Sequence, residues 1–171
     1  MRKTLVAIVA GALLLASPAS LQAQTPGVTK DEIHIGQTMP YSGNASAYGV
    51  VGKAMLAYFE KLNREQGGIN GRKIKLTSLD DGYSPPKTVE QTRKLVEQDD
   101  VLLIFGTLGT PTNTAIHKYL NAKRIPHLFV TTGADKWADP KGFPWTMPGM
   151  VSYQTEAAVY RRYLRPAHAE R

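Results

Sequence analysis

A continuous apolar run at residues 101–105, Val-Leu-Leu-Ile-Phe, most limits the folds open to this chain. A strand whose side chains are apolar on both faces must be covered on both faces, which is typical of the centre of a parallel sheet. Strand and helix patterns alternate on either side of this run. The sequence therefore predicts an α/β fold built from strand-helix-strand units.

The alternation predicts a Rossmann-like parallel sheet with helices on both faces. Its strands are expected at residues 32–38, 73–80, 101–105 and 125–130, and its helices at residues 48–66, 84–98 and 111–121. Apolar side chains at helical spacing predict the buried faces of the first and third helices. They are Val51, Met55, Tyr58 and Leu62 in the first, and Ala115, Ile116, Tyr119 and Leu120 in the third.

The N-terminus has the pattern of a secretory signal at residues 1–23. Arg2 and Lys3 precede an apolar run that is too short for a stable membrane span, and small residues follow it. We expect cleavage after Ala23, with Ala19 as the alternative. The chain has no cysteine, so we expect neither disulfides nor a lipid anchor, and a periplasmic location follows.

The charge pattern argues against a nucleic-acid partner. The net charge of +7 falls to +5 when the signal leaves, because residues 1–23 carry two basic residues and no acid. The remaining Lys and Arg are interspersed with Asp and Glu instead of forming a basic run. We expect a monomer with an ordinary solvated surface and no cofactor.

The loops that follow the predicted strands are expected to form the functional edge of the sheet. In open parallel sheets, ligands bind beyond the carboxyl ends of the strands. These loops are rich in Gly, Ser and Thr, whose amides and hydroxyls can hold a small polar or anionic group at a helix N-terminus. They comprise residues 39–48, 80–85, 106–110 and 131–135.

Several ordered blocks resemble the leucine/isoleucine/valine-binding protein family over about residues 28–160. The blocks are IGQT at 35–38, PYSG at 40–43, AYG at 47–49, GGINGRKI at 67–74, GTLGT at 106–110 and TGA at 132–134. Asp80-Asp81 with Pro85, Lys87 and Thr88 resembles the family's second strand-to-helix turn. An ordered series of this kind is more specific than any single Gly-rich loop.

The resemblance implies a non-enzymatic, two-lobed solute-binding protein of an ABC importer. Its ligand would be a branched-chain amino acid or a related amide or aromatic acid, and a membrane permease would receive it. Residues 28–150 correspond to the N-terminal ligand-binding lobe, a periplasmic binding protein type I lobe. Residues 151–171 correspond to the start of the hinge and of the second-lobe helix, so we expect a truncated chain whose second lobe is largely absent.

The resemblance also implies which residues of this lobe contact the ligand. They are Tyr48, Thr107, Leu108, Gly109, Thr110, Gly133, Ala134 and Asp135. Asp135 departs from the family pattern, because a threonine hydroxyl for the ligand carboxylate is expected there. A carboxylate at that place would repel the ligand carboxylate, unless Asp135 points away, holds an ammonium or marks a different substrate.

Structural alternatives exist for several of these residues. Tyr48 could simply pack at a helix start, and Thr110 could cap the helix that follows it, as Ser84 is expected to do. Asp80 and Asp81 leave a strand in opposite directions, which favours turn and capping roles over a catalytic pair. The four histidines are widely separated and show no metal-ligand spacing.

Two other functional classes use similar folds. A small Rossmann-like enzyme would need a catalytic or nucleotide motif, and Gly106 with Gly109 does not complete G-x-G-x-x-G. A ligand-sensing receptor domain would be joined to a transmembrane segment. Neither feature occurs in the sequence printed here, which favours the binding protein.

Overall fold

The computed structural model describes residues 25–168, in which five parallel strands form one sheet of order β2-β1-β3-β4-β5. The strands are β1 Glu32–Met39, β2 Lys73–Asp80, β3 Ile104–Phe105, β4 His127–Val130 and β5 Thr146–Pro148. The helices are α1 Gly49–Gln66, α2 Pro85–Glu97, α3 Thr110–Lys123 and α4 Tyr153–His168. The α/β class and the parallel sheet are confirmed. The signal predicted at residues 1–23 lies outside the described residues.

The register of the sheet brings the strand ends to one edge. β1 pairs with β2 in parallel along its whole length, from Glu32 opposite Lys73 to Met39 opposite Asp80. Ile104 of β3 lies opposite Gly36 on one side and His127 on the other. The loops that follow the strands therefore share the same side of the sheet, which is where ligands bind in such folds.

The central strand occupies the predicted place but is shorter than predicted. The strand expected at residues 101–105 is regular only at Ile104–Phe105. Leu102 donates to the His34 carbonyl at 2.8 Å, so the chain already runs beside β1 before β3 begins. Contact with the other neighbour starts at Ile104, whose N–H donates to the Pro126 carbonyl at 2.9 Å. The strand is regular from the residue that pairs with both neighbours.

The buried side of α3 is partly polar, which differs from the prediction. Leu120 and Ile116 join a core cluster with Leu95, Val101 and Ile104, as expected of apolar residues at this spacing. Ala115, however, is exposed. The neighbouring positions that are buried instead are Thr112, Asn113 and His117. They are buried because Thr112 and Asn113 bond to carbonyls of the loop that precedes the helix.

The face that α1 turns to the sheet is also shifted from the prediction. Tyr58 is 60% exposed, whereas Phe59 packs edge-to-face on Phe105 with ring centroids 5.8 Å apart. The cause is the close approach of the first turn. A Cβ on Gly52 would lie 2.8 Å from the Met39 side chain, so only glycine lets the helix come so near. This contact fixes the rotation of the whole helix.

The segment after β4 contains elements that the sequence pattern did not predict. β5 adds a short parallel edge strand, joined to β4 by the bond from His127 N–H to the Trp145 carbonyl at 2.7 Å. Trp137 is only 2% exposed, so its ring packs the loop after β4 against the fold. α4 extends through Pro166 to His168.

Candidate functional site

A cleft of about 620 Å³ opens at the carboxyl edge of the sheet. Its residues come from the loops after β1, β2, β3 and β4, from the start of α1 and from the segment that leads into α4. Residues of six segments therefore meet in one place. They are Asn44, Ala45, Tyr48, Val51, Tyr83, Leu108, Gly109, Thr110, Thr131, Thr132, Met150 and Tyr153.

Gly109 forms the junction between the β3 loop and α3. Its φ of 100° lies in a region that side-chain-bearing residues rarely adopt. The ring of Tyr83 lies directly against it, and a Cβ added to Gly109 would be 2.3 Å from Tyr83 Cε2. Tyr83 itself has a positive φ of 61°, which is uncommon for a bulky residue. The two unusual backbones together place the Tyr83 ring over the start of α3.

Thr110 is the first residue of α3, and its side chain faces Thr132 instead of capping the helix. The two hydroxyl oxygens are 2.5 Å apart. Gly109 occupies the cap position, and no side chain bonds to the first-turn amides there. One hydroxyl of the pair donates to the other, so one O–H remains available to a ligand.

Tyr153 is placed by Gly133, in the same way that Tyr83 is placed by Gly109. The Tyr153 N–H donates to the Gly133 carbonyl at 2.6 Å. A Cβ on Gly133 would lie 2.6 Å from two ring carbons of Tyr153. Asp135 accepts a weak hydrogen bond from the Gln154 N–H at 3.4 Å, so its carboxylate lies at the start of α4. A negative charge there is favourable to the helix.

Asp80 ties the loops after β1 and β2 together. Its carboxylate accepts hydrogen bonds from the N–H groups of Tyr41, Ser42 and Gly82 at 2.9–3.0 Å. It also accepts from the Ser42 hydroxyl at 2.6 Å and from Lys87 Nζ at 2.7 Å. Burial raises the Asp80 pKa, but the bonds from Lys87, Ser42 and Gly82 outweigh it and hold the pKa well below its usual range.

The Asp81 side chain has different partners from the Asp80 side chain and a separate structural role. Its carboxylate accepts from the Tyr83 N–H at 2.9 Å and from the Thr88 hydroxyl at 3.0 Å, and burial raises its pKa. The turn roles predicted for Asp80 and Asp81 are thus confirmed. Ser84 stands at the cap position of α2, but its side chain makes no capping bond, so that prediction was wrong.

The eight predicted contact residues fall into three groups. Four of them line the cleft: Tyr48, Leu108, Gly109 and Thr110. Three lie in the supporting layer: Thr107 and Gly133 are buried, and the Ala134 N–H faces the Thr132 hydroxyl at 3.4 Å. Thr107 supports the loop through its carbonyl oxygen, which accepts hydrogen bonds from the Asn113 side chain and from the Thr131 N–H. Asp135 lies outside the cleft lining.

Eight lining residues were not among the predicted contacts. Five of them lie within loops that the sequence had placed at this edge: Asn44, Ala45, Tyr83, Thr131 and Thr132. The rule that ligands bind beyond the carboxyl ends of parallel strands could have found these five. Met150 and Tyr153 come from the segment after β5, which had no assigned position in the sheet. Val51 belongs to the first turn of α1, whose rotation the sequence did not fix.

The lining contains no ionisable acid or base except the three tyrosines. Burial raises the pKa of Tyr83, and the nearby Tyr153 and Tyr48 raise it further, so its hydroxyl stays protonated near neutral pH. Within residues 25–168, no three His, Asp or Glu side chains converge on a possible metal position. The cleft offers hydroxyls, aromatic rings and backbone groups, which suit non-covalent binding of a small molecule.

A buried aromatic cluster supports the cleft from below. The His117 ring stacks on Phe143 with centroids 3.7 Å apart and contacts Trp137 edge-on at 4.8 Å. His127 Nε2 lies 2.8 Å from Asn113 Oδ1. Burial and the neighbouring His117 lower the His127 pKa to about 3. Both histidines therefore act as neutral packing groups that hold the loop after β4 in place.

Comparison with known proteins agrees with this architecture. A possible leucine/isoleucine/valine-binding protein from Rhodopirellula baltica superposes with a TM-score of 0.72 at 22% identity, covering 81% of this chain and 37% of that one. A fatty acid ABC transporter substrate-binding protein from Thermomonospora curvata gives a TM-score of 0.54 at 29% identity, covering 61% and 26%. An amino acid binding protein of Pseudomonas aeruginosa is 35% identical over 78 residues, 44% of this chain and 20% of that protein.

The chain thus spans about a fifth of the length of the curated relative and about a third of the structures it resembles. No helix within residues 25–168 is both long and apolar enough to cross a membrane. The family model described as periplasmic binding protein matches residues 32–169, which is most of the chain. This match confirms the predicted resemblance to binding proteins, as opposed to enzymes. The chain belongs to the periplasmic binding protein family.

Proposed function

We propose that the chain is the solute-binding component of an ABC importer, which captures a small ligand and delivers it to a membrane permease. The observation that carries the proposal is the cleft, which lies at the strand ends of a periplasmic binding protein lobe and is lined by residues of six segments. It presents hydrogen-bond donors and rings without any catalytic group. A site of this composition binds and releases a ligand unchanged.

The names of the relatives support a small ligand of modest polarity. One relative is named for amino acid binding and another for fatty acids. A branched-chain amino acid, or a related amide or aromatic acid, is intermediate in polarity between an amino acid with a polar side chain and a fatty acid. Asp135 lies outside the cleft lining, beside the Gln154 amide. Its negative charge is therefore no argument against a ligand that carries a carboxylate.

The proposal includes the organisation inferred from the sequence. Residues 1–23 direct export and are removed, residues 28–150 form the ligand-binding lobe, and residues 151–171 lead towards a second lobe. The protein works as a periplasmic monomer without a lipid anchor. Its permease partner recognises the ligand-loaded form. The sequence pattern of residues 1–23 supports export, and the lack of cysteine supports the absence of a lipid anchor. Family membership and the location of the cleft support the binding lobe.

Uptake measurements on a deletion strain would test the role. Radiolabelled isoleucine, an amide, an aromatic acid and a fatty acid are supplied to the parent, the deletion strain and the strain complemented with the intact gene. We expect deletion to abolish uptake of one class and complementation to restore it. Mass spectrometry of the periplasmic fraction is expected to find a chain that begins at residue 24. Unchanged uptake of all four classes contradicts the importer role.

A further inference from the structure

Three tyrosines from separate elements face the same cleft. Tyr48 ends the short 3-10 helix before α1, Tyr83 lies in the loop after β2, and Tyr153 begins α4. Tyr48 and Tyr153 are 60% and 51% exposed, so much of each ring is available. We call these three residues the tyrosine triad. Aromatic side chains bind other rings by offset stacking or edge contacts and accept apolar groups over a large area.

Two members of the triad are fixed in place by glycines. Tyr83 lies on Gly109 and Tyr153 lies on Gly133, and neither glycine has room for a Cβ. The two rings therefore pack closely against the backbone at the cleft. A rigid ring loses little conformational freedom on binding, which favours its use as a contact surface.

The hydroxyls of the triad have no protein partner among the described residues. Two tyrosines outside the cleft are bonded instead: Tyr41 Oη lies 2.5 Å from Ser78 Oγ, and the Tyr119 hydroxyl donates to Glu97 at 2.8 Å. Unengaged hydroxyls beside exposed rings give the cleft both stacking surfaces and hydrogen-bond donors. A ligand can use both at once.

The same cleft also presents hydrogen-bond donors from its threonines and from α3. The Thr110 and Thr132 hydroxyls form a pair that leaves one O–H free. The first turn of α3 adds the Thr110 N–H, which has no carbonyl partner within the helix, whereas Pro111 at the next position has no N–H. These groups are suited to a carboxylate. Leu108, Val51 and Met150 complete the lining with apolar surface.

Resting on the proposed function, we infer that the ligand class is an aromatic monocarboxylic acid, whose ring packs among Tyr48, Tyr83 and Tyr153 and whose carboxylate meets Thr110 and Thr132. Among residues 25–168, no acidic side chain lines the cleft to balance an α-ammonium group. Desolvating that group without a counter-charge would cost affinity. A zwitterionic amino acid is therefore the poorer match to this lobe, although its carboxylate would find the same donors.

An NMR titration of the mature chain tests the inference. Four probes separate the contributions of the ring, the carboxylate and the ammonium group. They are benzoate, cyclohexanecarboxylate, isoleucine and tetramethylammonium. Cyclohexanecarboxylate has a similar shape to benzoate but no aromatic π electrons, and tetramethylammonium is a cation that an aromatic cage would bind. We expect benzoate to shift the amide signals of Gly109, Thr110 and Thr132 at millimolar concentration. Cyclohexanecarboxylate is expected to bind about three- to tenfold more weakly, which is the range for loss of an aromatic pair.

Variants locate the effect. Tyr153→Leu is expected to weaken benzoate binding by about three- to tenfold while removing most of its preference over cyclohexanecarboxylate. Tyr58→Leu, on the exposed side of α1, is the matched control and is expected to leave both affinities unchanged. The circular dichroism spectrum of each variant checks that the fold is kept. Equal loss of affinity for both acids in Tyr153→Leu would show that the ring contributes shape alone and overturns the aromatic assignment.

The probes also distinguish failure of this inference from failure of the proposed function. Tighter binding of isoleucine than benzoate overturns the aromatic class and leaves the importer role standing. Binding of tetramethylammonium alone overturns the carboxylate assignment. If none of the probes shifts these signals at about 50 mM, the triad is not a ligand surface and the inference fails, whereas the uptake measurements still decide the importer role.

Discussion

Three glycines set much of the geometry around this cleft. Gly109 and Gly133 each leave a space that a tyrosine ring fills, and Gly52 lets α1 approach Met39. A side chain at any of these positions would displace a neighbour. The sequence identified two of the three as members of a binding loop, but it did not show that their role is to seat aromatic rings.

Gly109→Ala is expected to move the Tyr83 ring and to destabilise the protein by about 2–4 kcal/mol, because a steric clash adds to the strain of a φ of 100°. Gly67→Ala is the matched control. Its φ of 69° imposes a similar backbone strain, but nothing lies within 4 Å of the added Cβ, so a loss of about 1 kcal/mol is expected. Urea denaturation of both variants measures the difference. Equal losses would show that the contact with Tyr83 is unimportant.

Asp80→Asn is expected to lower the free energy of unfolding by about 1–3 kcal/mol, because the carboxylate accepts bonds from Lys87 and from the loop after β1. The Asp80 pKa is depressed in the folded state, so its contribution is present above the unfolded pKa of about 3.8 and is lost as the pH falls below it. Denaturation at pH 7 and pH 3 tests both statements. A variant as stable as the parent at pH 7 would contradict the structural role.

The buried His127 predicts a loss of stability in acid. Its pKa falls from 6.5 in the unfolded chain to about 3 in the fold, chiefly through burial and further through the neighbouring His117. The folded state therefore resists protonation. Its stability is complete above pH 6.5 and decreases as the pH falls towards 3, by up to a few kcal/mol at about 1.4 kcal/mol per unit.

Thermal unfolding between pH 8 and pH 4 measures this slope. The groups that face the two histidines are Lys136, which lowers the His117 pKa, and Asp139, which raises it. His127→Gln is expected to flatten the slope, at the cost of lower stability at pH 8, where the wild-type imidazole bonds to Asn113. An unchanged slope in the variant would place the acid sensitivity elsewhere.

At the scale of elements, the strand positions followed the sequence more closely than the helix faces did. β2 has the predicted bounds and β1 is one residue longer, because alternating residues and flanking turns define a strand locally. Helix faces depend on which side approaches the sheet. Ala115 and Tyr58 were assigned to buried faces and are exposed, since Gly52 and Asn113 make the contacts that determine the rotation of α1 and α3.

The side chains of α4 are exposed in the described part of the helix, which predicts self-association. Val159, Tyr160, Tyr163 and Leu164 all lie open, and Val159 and Tyr160 line an apolar groove of about 400 Å³ with Met150 and Val151. Contiguous exposed apolar surface favours aggregation. Val159→Ser with Tyr163→Ser is expected to reduce light scattering at high protein concentration, without lowering the thermal midpoint by more than about 2 °C.

A control for this prediction lies on the same chain. Tyr58→Ser removes an equally exposed ring from α1, away from the groove. It is expected to leave the scattering unchanged. If the double variant in α4 scatters as strongly as the parent, self-association does not use this helix.

At the scale of the whole molecule, the cleft is open, and this limits affinity. The chain spans 37% of the Rhodopirellula structure, and every residue that lines the cleft comes from this part. Each solvent-exposed polar contact contributes about 0.5–1.5 kcal/mol net. We therefore expect dissociation constants above about 1 mM for this chain.

Isothermal calorimetry of the purified chain and of an intact two-lobed relative with the same ligand tests this expectation. The relative is expected to bind at least about a hundredfold more tightly, because closure removes the ligand from water and adds a second set of contacts. Micromolar binding by the chain alone would show that the lobe is a self-sufficient binding module.

The sequence by itself determined the α/β class, the positions of the first four strands, the central place of the apolar run and the loops at the carboxyl edge of the sheet. These features depend on local periodicity and on the rule that parallel strands end at one edge. The ordered blocks also led to the family that the comparison confirms.

Only the tertiary structure decided which residues of those loops face the cleft. Thr107 and Thr110 are three residues apart, yet one is buried under the loop and the other meets Thr132 across it. Tyr153 reaches the cleft from another element because the carbonyl of Gly133 binds its amide. Such contacts join residues far apart in the chain, and their geometry depends on steric fit between backbones, which no local pattern of residue types encodes.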